Sequence, residues 1–165
     1  MSLTKAFRAG FVRRWHTNPE LAHTNDRIDG HAGRVARIIL MLYPKPSVEL
    51  IRAALIHDDG ESVVGDMGAL LKTKRPDIAR ALYGIELSAS LEIWGKGPVL
   101  SSDDMAWIKF ADRLDAYMWA AHHAPQVMGG DGWPEAHEWL RTEGARLMIA
   151  ADVMNTLRRA TDATA

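Results

Sequence analysis

Seven consecutive residues, Leu55-Ile56-His57-Asp58-Asp59-Gly60-Glu61, bring an imidazole, two adjacent carboxylates and a glutamate together at the end of an apolar stretch. Such density of nitrogen and oxygen donors suits a divalent cation or a proton-transfer step. If the turn stays helical, Glu61 falls four residues after His57 and three after Asp58, so its carboxylate reaches the same space. The chain has no cysteine, so metal ligation must use histidine and carboxylate. Those donors suit Mn, Co, Fe, Ni or Zn with positions left open for water and a reactant.

The residues need elements to hold them. Alternation at period two is scarce, whereas i, i+3, i+4, i+7 spacing recurs along the chain, so the fold is expected to be all-α. The spacing predicts about six helices: Thr4 to Trp15, Gly30 to Leu42, Val48 to His57, Pro76 to Trp94, Asp103 to His122 and Pro134 to Ala160. Asp29 and Ser47 are candidate caps, Ser101 with Asp104 has the form of a capping box, and Pro76 and Pro134 suit first-turn positions. Breaks fall at Pro44-Lys45-Pro46, at Gly95-Lys96-Gly97-Pro98 and at Gly129-Gly130-Asp131-Gly132, and the segment from Thr17 to Asp29 reads as a polar loop.

Several polar residues share the inward stripes of these helices. His31 lies on the stripe of Val35, Ile38 and Leu42; His57 on that of Leu50, Ala53 and Ala54; Asp112 and Asp115 on that of Met105, Ile108 and Trp119. A carboxylate on an apolar stripe asks for a partner, because burying it unpaired is costly. Singly, each has an ordinary explanation: a hydrogen-bonded core histidine, or a salt bridge from Asp112 to Lys109 or Arg113. It is the combination that points to a site.

Composition bounds the remaining possibilities. A chain of 165 residues with 47% apolar and 25% charged residues is expected to form a single domain over residues 1–165. A net charge of -1 lacks the basic footprint of a protein that binds nucleic-acid polymers. No stretch reads as a signal peptide or membrane span, so no membrane partner and a cytoplasmic location are expected.

With His31, the doublet His57-Asp58 and Asp112 in that order on separate helices, the chain resembles the HD-domain superfamily of metal-dependent phosphohydrolases. Two longer strings sharpen the likeness: His57-Asp58-x-x-Glu61-x-x-x-Gly65-Asp66 and Lys109-x-Ala111-Asp112-x-Leu114-x-Ala116-Tyr117. Both are similar to the branch holding bacterial 5'-deoxynucleotidases and small bacteriophage dATP triphosphohydrolases, as is Arg13-Arg14-Trp15 near the start. The segment Ile28-Asp29-Gly30-His31 departs from the 5'-deoxynucleotidases, which usually carry a Glu beside this His.

The resemblance implies an all-α HD bundle in which His31, His57, Asp58 and Asp112 hold one divalent cation (Co, Mn, Zn, Fe, Ni or Mg). It implies Glu61 as catalytic acid or base and Asp66 as a further active-site carboxylate. It also implies Arg14 and Lys72 as phosphate contacts and Trp15 as the residue packing on nucleobase or sugar. On the residues alone, Arg14 reads as a solvated helix end and Lys72 as part of a surface basic run. The implied substrate is a deoxynucleotide, either dATP cleaved to deoxynucleoside plus triphosphate or a deoxynucleoside monophosphate. A homo-oligomer is expected, and the alternative of another class is a non-catalytic helical module that binds metal or nucleotide. The other tryptophans, Trp94, Trp107, Trp119, Trp133 and Trp139, read as core or interface residues, and His16, His23, His122, His123 and His137 as surface or capping residues.

Overall fold

Helical spacing carries through the whole chain. A computed structural model describes residues 1–130 and 132–162; Asp131, in the third predicted break, lies outside them. Among the described residues there are eight α-helices and no strand, with one isolated antiparallel bridge between Arg13 and Arg27. The helices are α1 (Leu3–Ala9), α2 (Ile28–Leu42), α3 (Val48–Ile56), α4 (Ala69–Lys74), α5 (Pro76–Trp94), α6 (Ser102–His123), α7 (Trp133–Arg146) and α8 (Ala150–Asp162).

Local chemistry sets most starts. Ser47 Oγ accepts the Leu50 N–H at the head of α3, Pro76 opens α5, and Ser101 and Asp104 form a reciprocal capping box on α6. Asp29 is not a cap: α2 begins one residue earlier, and Asp29 sits in its first turn. There its carboxylate accepts the Gly30 N–H at 2.7 Å and favours the positive helix end.

The helix count exceeds six for two reasons. The predicted last helix divides where Met148 takes a left-handed φ of 62° and the Ile149 N–H reaches back to the Gly144 carbonyl at 2.9 Å, a capping turn that lets the chain reverse. Gly144 then admits Val153, since a Cβ there would lie 2.9 Å from a Val153 methyl. The second addition is α4, a short helix carrying Lys72. The first helix is also shorter than expected. After Ala9 the backbone leaves the helix to pair with the loop, Arg14 N–H to Asp26 O at 3.0 Å and Ile28 N–H to Val12 O at 3.1 Å.

The longest helix, α6, is the spine of the core. Its Trp107, Phe110, Ala111, Leu114, Tyr117 and Ala121 pack with Val35, Ala36 and Ile39 of α2, Leu50 and Ala54 of α3, Leu140 of α7 and Val153 and Leu157 of α8. The inward stripe therefore differs from the expected one: Met105 is 56% exposed, and Asp112 stands at the rim while Asp115 is fully inside. Among the described residues, no helix is long and apolar enough to cross a membrane.

Candidate metal centre

Three of the core helices each send polar groups to one place. His31 comes from the first turn of α2, His57 from the residue ending α3, and Asp112 from the middle of α6. One donor atom from each lies within 4.8 Å of the other two. Asp58 joins them, its Oδ2 lying 3.4 Å from His31 Nε2 and 3.3 Å from His57 Nε2. His31 Nε2 is 3.1 Å from Asp112 Oδ1.

The hydrogen bonds decide which ring nitrogens are available. His31 Nδ1 donates to Asp115 Oδ2 at 2.7 Å, and His57 Nδ1 donates to the Ala54 carbonyl at 2.9 Å. Both Nε2 atoms are buried and make no well-directed hydrogen bond, despite their closeness to the carboxylates. Buried polar atoms are rarely left so. Two lone pairs and two carboxylates facing one point make a donor set that fits a divalent cation of the Zn, Co or Mn kind. Burial lowers the His31 pKa, but the closeness of the Asp112, Asp115 and Asp58 carboxylates outweighs it and raises the imidazole to about 10. For Asp58, burial acts upward and is overcome by His57, His31 and Arg14, which hold it well below the usual carboxylate range. Both shifts express a place where positive charge is wanted.

The neighbouring Asp59 turns elsewhere. Its Oδ2 accepts the Trp94 indole N–H at 2.9 Å, and burial raises its pKa to about 6. It lines a groove of about 800 Å³ with Ala32, Leu40, Val48, Leu55 and Trp94, a groove that none of the four candidate ligands lines.

Glu61 follows in a 3₁₀ turn over Asp59–Ser62. That turn packs against α5 so closely that a side chain at Gly60 would run into the Glu86 carbonyl. Glu61 is buried, and burial together with Asp58 and Asp66 raises its pKa to about 9 against the opposing pull of Lys72. Lys72 Nζ donates to Glu61 Oε1 at 3.3 Å and lies 3.9 Å from Glu86 Oε1. Glu61 Oε2 and Glu86 Oε1 are both buried without a hydrogen bond.

Asp66 and Trp15 are brought together. Gly65 takes a φ of 80°, which lets the chain turn into Asp66, and Asp66 Oδ2 accepts the Trp15 N–H at 3.3 Å. Trp15 itself has a φ of 63°, a conformation costing a non-glycine residue about 1–3 kcal/mol. Its indole N–H donates to Asp26 at 3.2 Å, and its ring lies 6.1 Å from that of Trp133. Arg14 is buried rather than solvated, with Nη1 3.2 Å from Asp26 and 3.5 Å from Asp115 and Nε 3.9 Å from Asp66.

Sequence reasoning missed Asp26, Arg34 and Glu86. Asp26 sits in a polar loop, where nothing in the residue pattern announces burial. Arg34 lies one turn after His31, and Glu86 lies between exposed Ile85 and Leu87 on α5; a charged residue at such positions reads as surface. His16, His23 and His122 are exposed, His123 and His137 half-buried, and none joins the centre. Among the other tryptophans, Trp107 is in the core and Trp94, Trp119, Trp133 and Trp139 are half-buried. No protein family, curated protein or solved structure shows a match to this chain.

Proposed function

We propose that this chain is a divalent-metal-dependent phosphohydrolase of the HD-domain kind, folded as a single domain and acting on deoxynucleoside 5'-phosphates. One observation carries the reading: two buried imidazoles, each with Nδ1 already bonded, turn unbonded Nε2 atoms toward one another and toward Asp58 and Asp112. His31, His57, Asp58 and Asp112 would hold the cation. When bound, a divalent cation supplies Lewis acidity, making water a nucleophile near neutral pH and offsetting charge on phosphoryl oxygens.

The remaining steps fall to the protein. Water adds to phosphorus, the P–O5' bond breaks, and a proton must reach the departing oxygen. Glu61, raised to about 9, is suited to hold that proton at neutral pH and to act as the acid. Asp66 fixes the Trp15 backbone, and Lys72, anchored beside Glu61, offers its ammonium to the phosphate.

The dATP triphosphohydrolase reading rests on the compactness of the chain, on the resemblance of its Arg13-Arg14-Trp15-His16 start and on the clustered Lys72, Lys74 and Arg75, which suit a longer phosphate chain. A monophosphate substrate is favoured by a specific observation: Arg14 already faces the Asp26 carboxylate and Lys72 that of Glu86, which leaves little cationic charge for a long phosphate chain. Incubating Co- or Mn-loaded protein with the four dNTPs and the four dNMPs, then resolving products by chromatography, separates these. Deoxynucleoside plus triphosphate supports the first, deoxynucleoside plus orthophosphate from monophosphates the second. No product with any metal refutes both and leaves a metal- or nucleotide-binding module.

A further inference from the structure

We infer that Asp115 is a positioning residue for the metal centre, setting the tautomer and aim of His31; this rests on the metal reading above. Asp112 and Asp115 lie one turn apart on α6 and flank a single imidazole, Asp112 Oδ1 3.1 Å from Nε2 and Asp115 Oδ2 2.7 Å from Nδ1. One helix thus presents a candidate ligand and grips the opposite nitrogen of another. A carboxylate on Nδ1 keeps the proton there and leaves the Nε2 lone pair for the cation.

The two histidines reach this condition differently. His57 donates to Ala54 O, three residues earlier in its own α3, so the helix itself orients the ring. His31 stands in the first turn of α2 and takes its partner from α6. A partner from another helix orients the ring only if it is itself fixed. Asp115 is: Arg34 Nε donates to Oδ1 at 2.6 Å, Arg34 Nη2 to Oδ2 at 3.1 Å, and Arg14 Nη1 lies 3.5 Å away. Arg34 is held in turn by Asp26 at 2.9 and 3.0 Å and by the face of Trp119, 4.1 Å from its guanidinium carbon. Asp115 is 3% exposed and His31 wholly buried, so water cannot substitute for the contact.

Asp26 supplies the comparison. It belongs to the same buried network but touches Arg14, Trp15 and Arg34 rather than His31. A merely structural role for Asp115 makes the two carboxylates equivalent. A positioning role does not.

The test titrates Co(II) into full-length wild type, Asp115→Asn and Asp26→Asn, following the cobalt d–d spectrum and the dissociation constant. We expect Asp115→Asn to weaken Co(II) binding by about 10–100-fold with an altered spectrum, and Asp26→Asn, which reaches His31 only through Arg34 and Asp115, to lose thermal stability while weakening binding several-fold less than Asp115→Asn does. Equal binding by wild type and Asp115→Asn overturns the inference and leaves the metal reading intact; a wild type that takes up no cobalt overturns both. Should Asp115→Asn fail to fold, ¹⁵N NMR of the zinc-loaded wild type decides. His31 with its proton on Nδ1 and zinc on Nε2 upholds the inference, and the reverse arrangement overturns it.

Discussion

The rings of His31 and His57 face each other with centroids 5.2 Å apart and planes inclined at 55°, close enough for one cation to satisfy both Nε2 atoms. Metal should therefore stabilise the fold. At a free concentration about 100 times Kd the gain is about 2.7 kcal/mol, a rise of roughly 5–11 °C in Tm for a chain of this size. Differential scanning fluorimetry of EDTA-treated protein with and without Co(II) reads this directly. Asp112→Ala, at a half-exposed position, should fold and lose the rise.

Glu61→Gln should retain the cobalt-induced stabilisation and lose turnover by about 10²–10⁴-fold, the usual worth of a positioned acid or base. Single-turnover kinetics of the metal-loaded variant checks this against its melting curve.

The same substitution has a pH signature in metal-free protein. Burial, then Asp58 and Asp66, raise the Glu61 pKa from 4.5 to about 9. A raised carboxyl pKa favours the protonated folded state, so its stability is fully present below about 4.5 and is lost as pH rises through about 9. Glu61→Gln should melt above wild type at pH 9, with the gap closing toward pH 4.5. A gap that instead widens toward acid contradicts the assignment.

Gly60→Ala forces a methyl group against α5, with its Cβ 2.8 Å from the Glu86 carbonyl carbon and 3.0 Å from its Cα. Backbone cannot yield as a side-chain tip can. A loss of about 1–3 kcal/mol is expected, measured by urea unfolding, together with weaker cobalt binding, because the shifted turn carries Asp58 on one side and Glu61 on the other.

Glu86→Gln removes the carboxylate that lies 3.9 Å from the Lys72 ammonium. If Lys72 contacts phosphate, the freed ammonium binds it better. Partly exposed pairs are worth up to about 1 kcal/mol, so KM should fall about two- to fivefold with kcat little changed in steady-state assays.

Much of this was legible in the residues. The stripe of His31 with Val35, the Ser47 cap and the Ser101-Asp104 capping box are local patterns, and local patterns survive into the fold. The doublet at the end of α3 announced its donors because four polar groups in five residues have no place in an apolar run. What the pattern could not show depends on pairing between distant segments. Asp26 is buried because Arg14 and Arg34 arrive from either side of it in sequence, and Glu86 because the Gly60 turn packs onto α5. The α6 stripe departs from the periodic pattern for a related reason: Met105 fits the helical period but is 56% exposed, whereas Trp107 and Phe110 pack with residues of α2 and α7.

The most direct test of the account is anomalous diffraction at the zinc edge from crystals grown with zinc. The account predicts one strong peak about 2.0–2.2 Å from His31 Nε2, His57 Nε2 and the carboxylates of Asp58 and Asp112. A map with no peak there, or with zinc only at the His122-His123 pair, contradicts it.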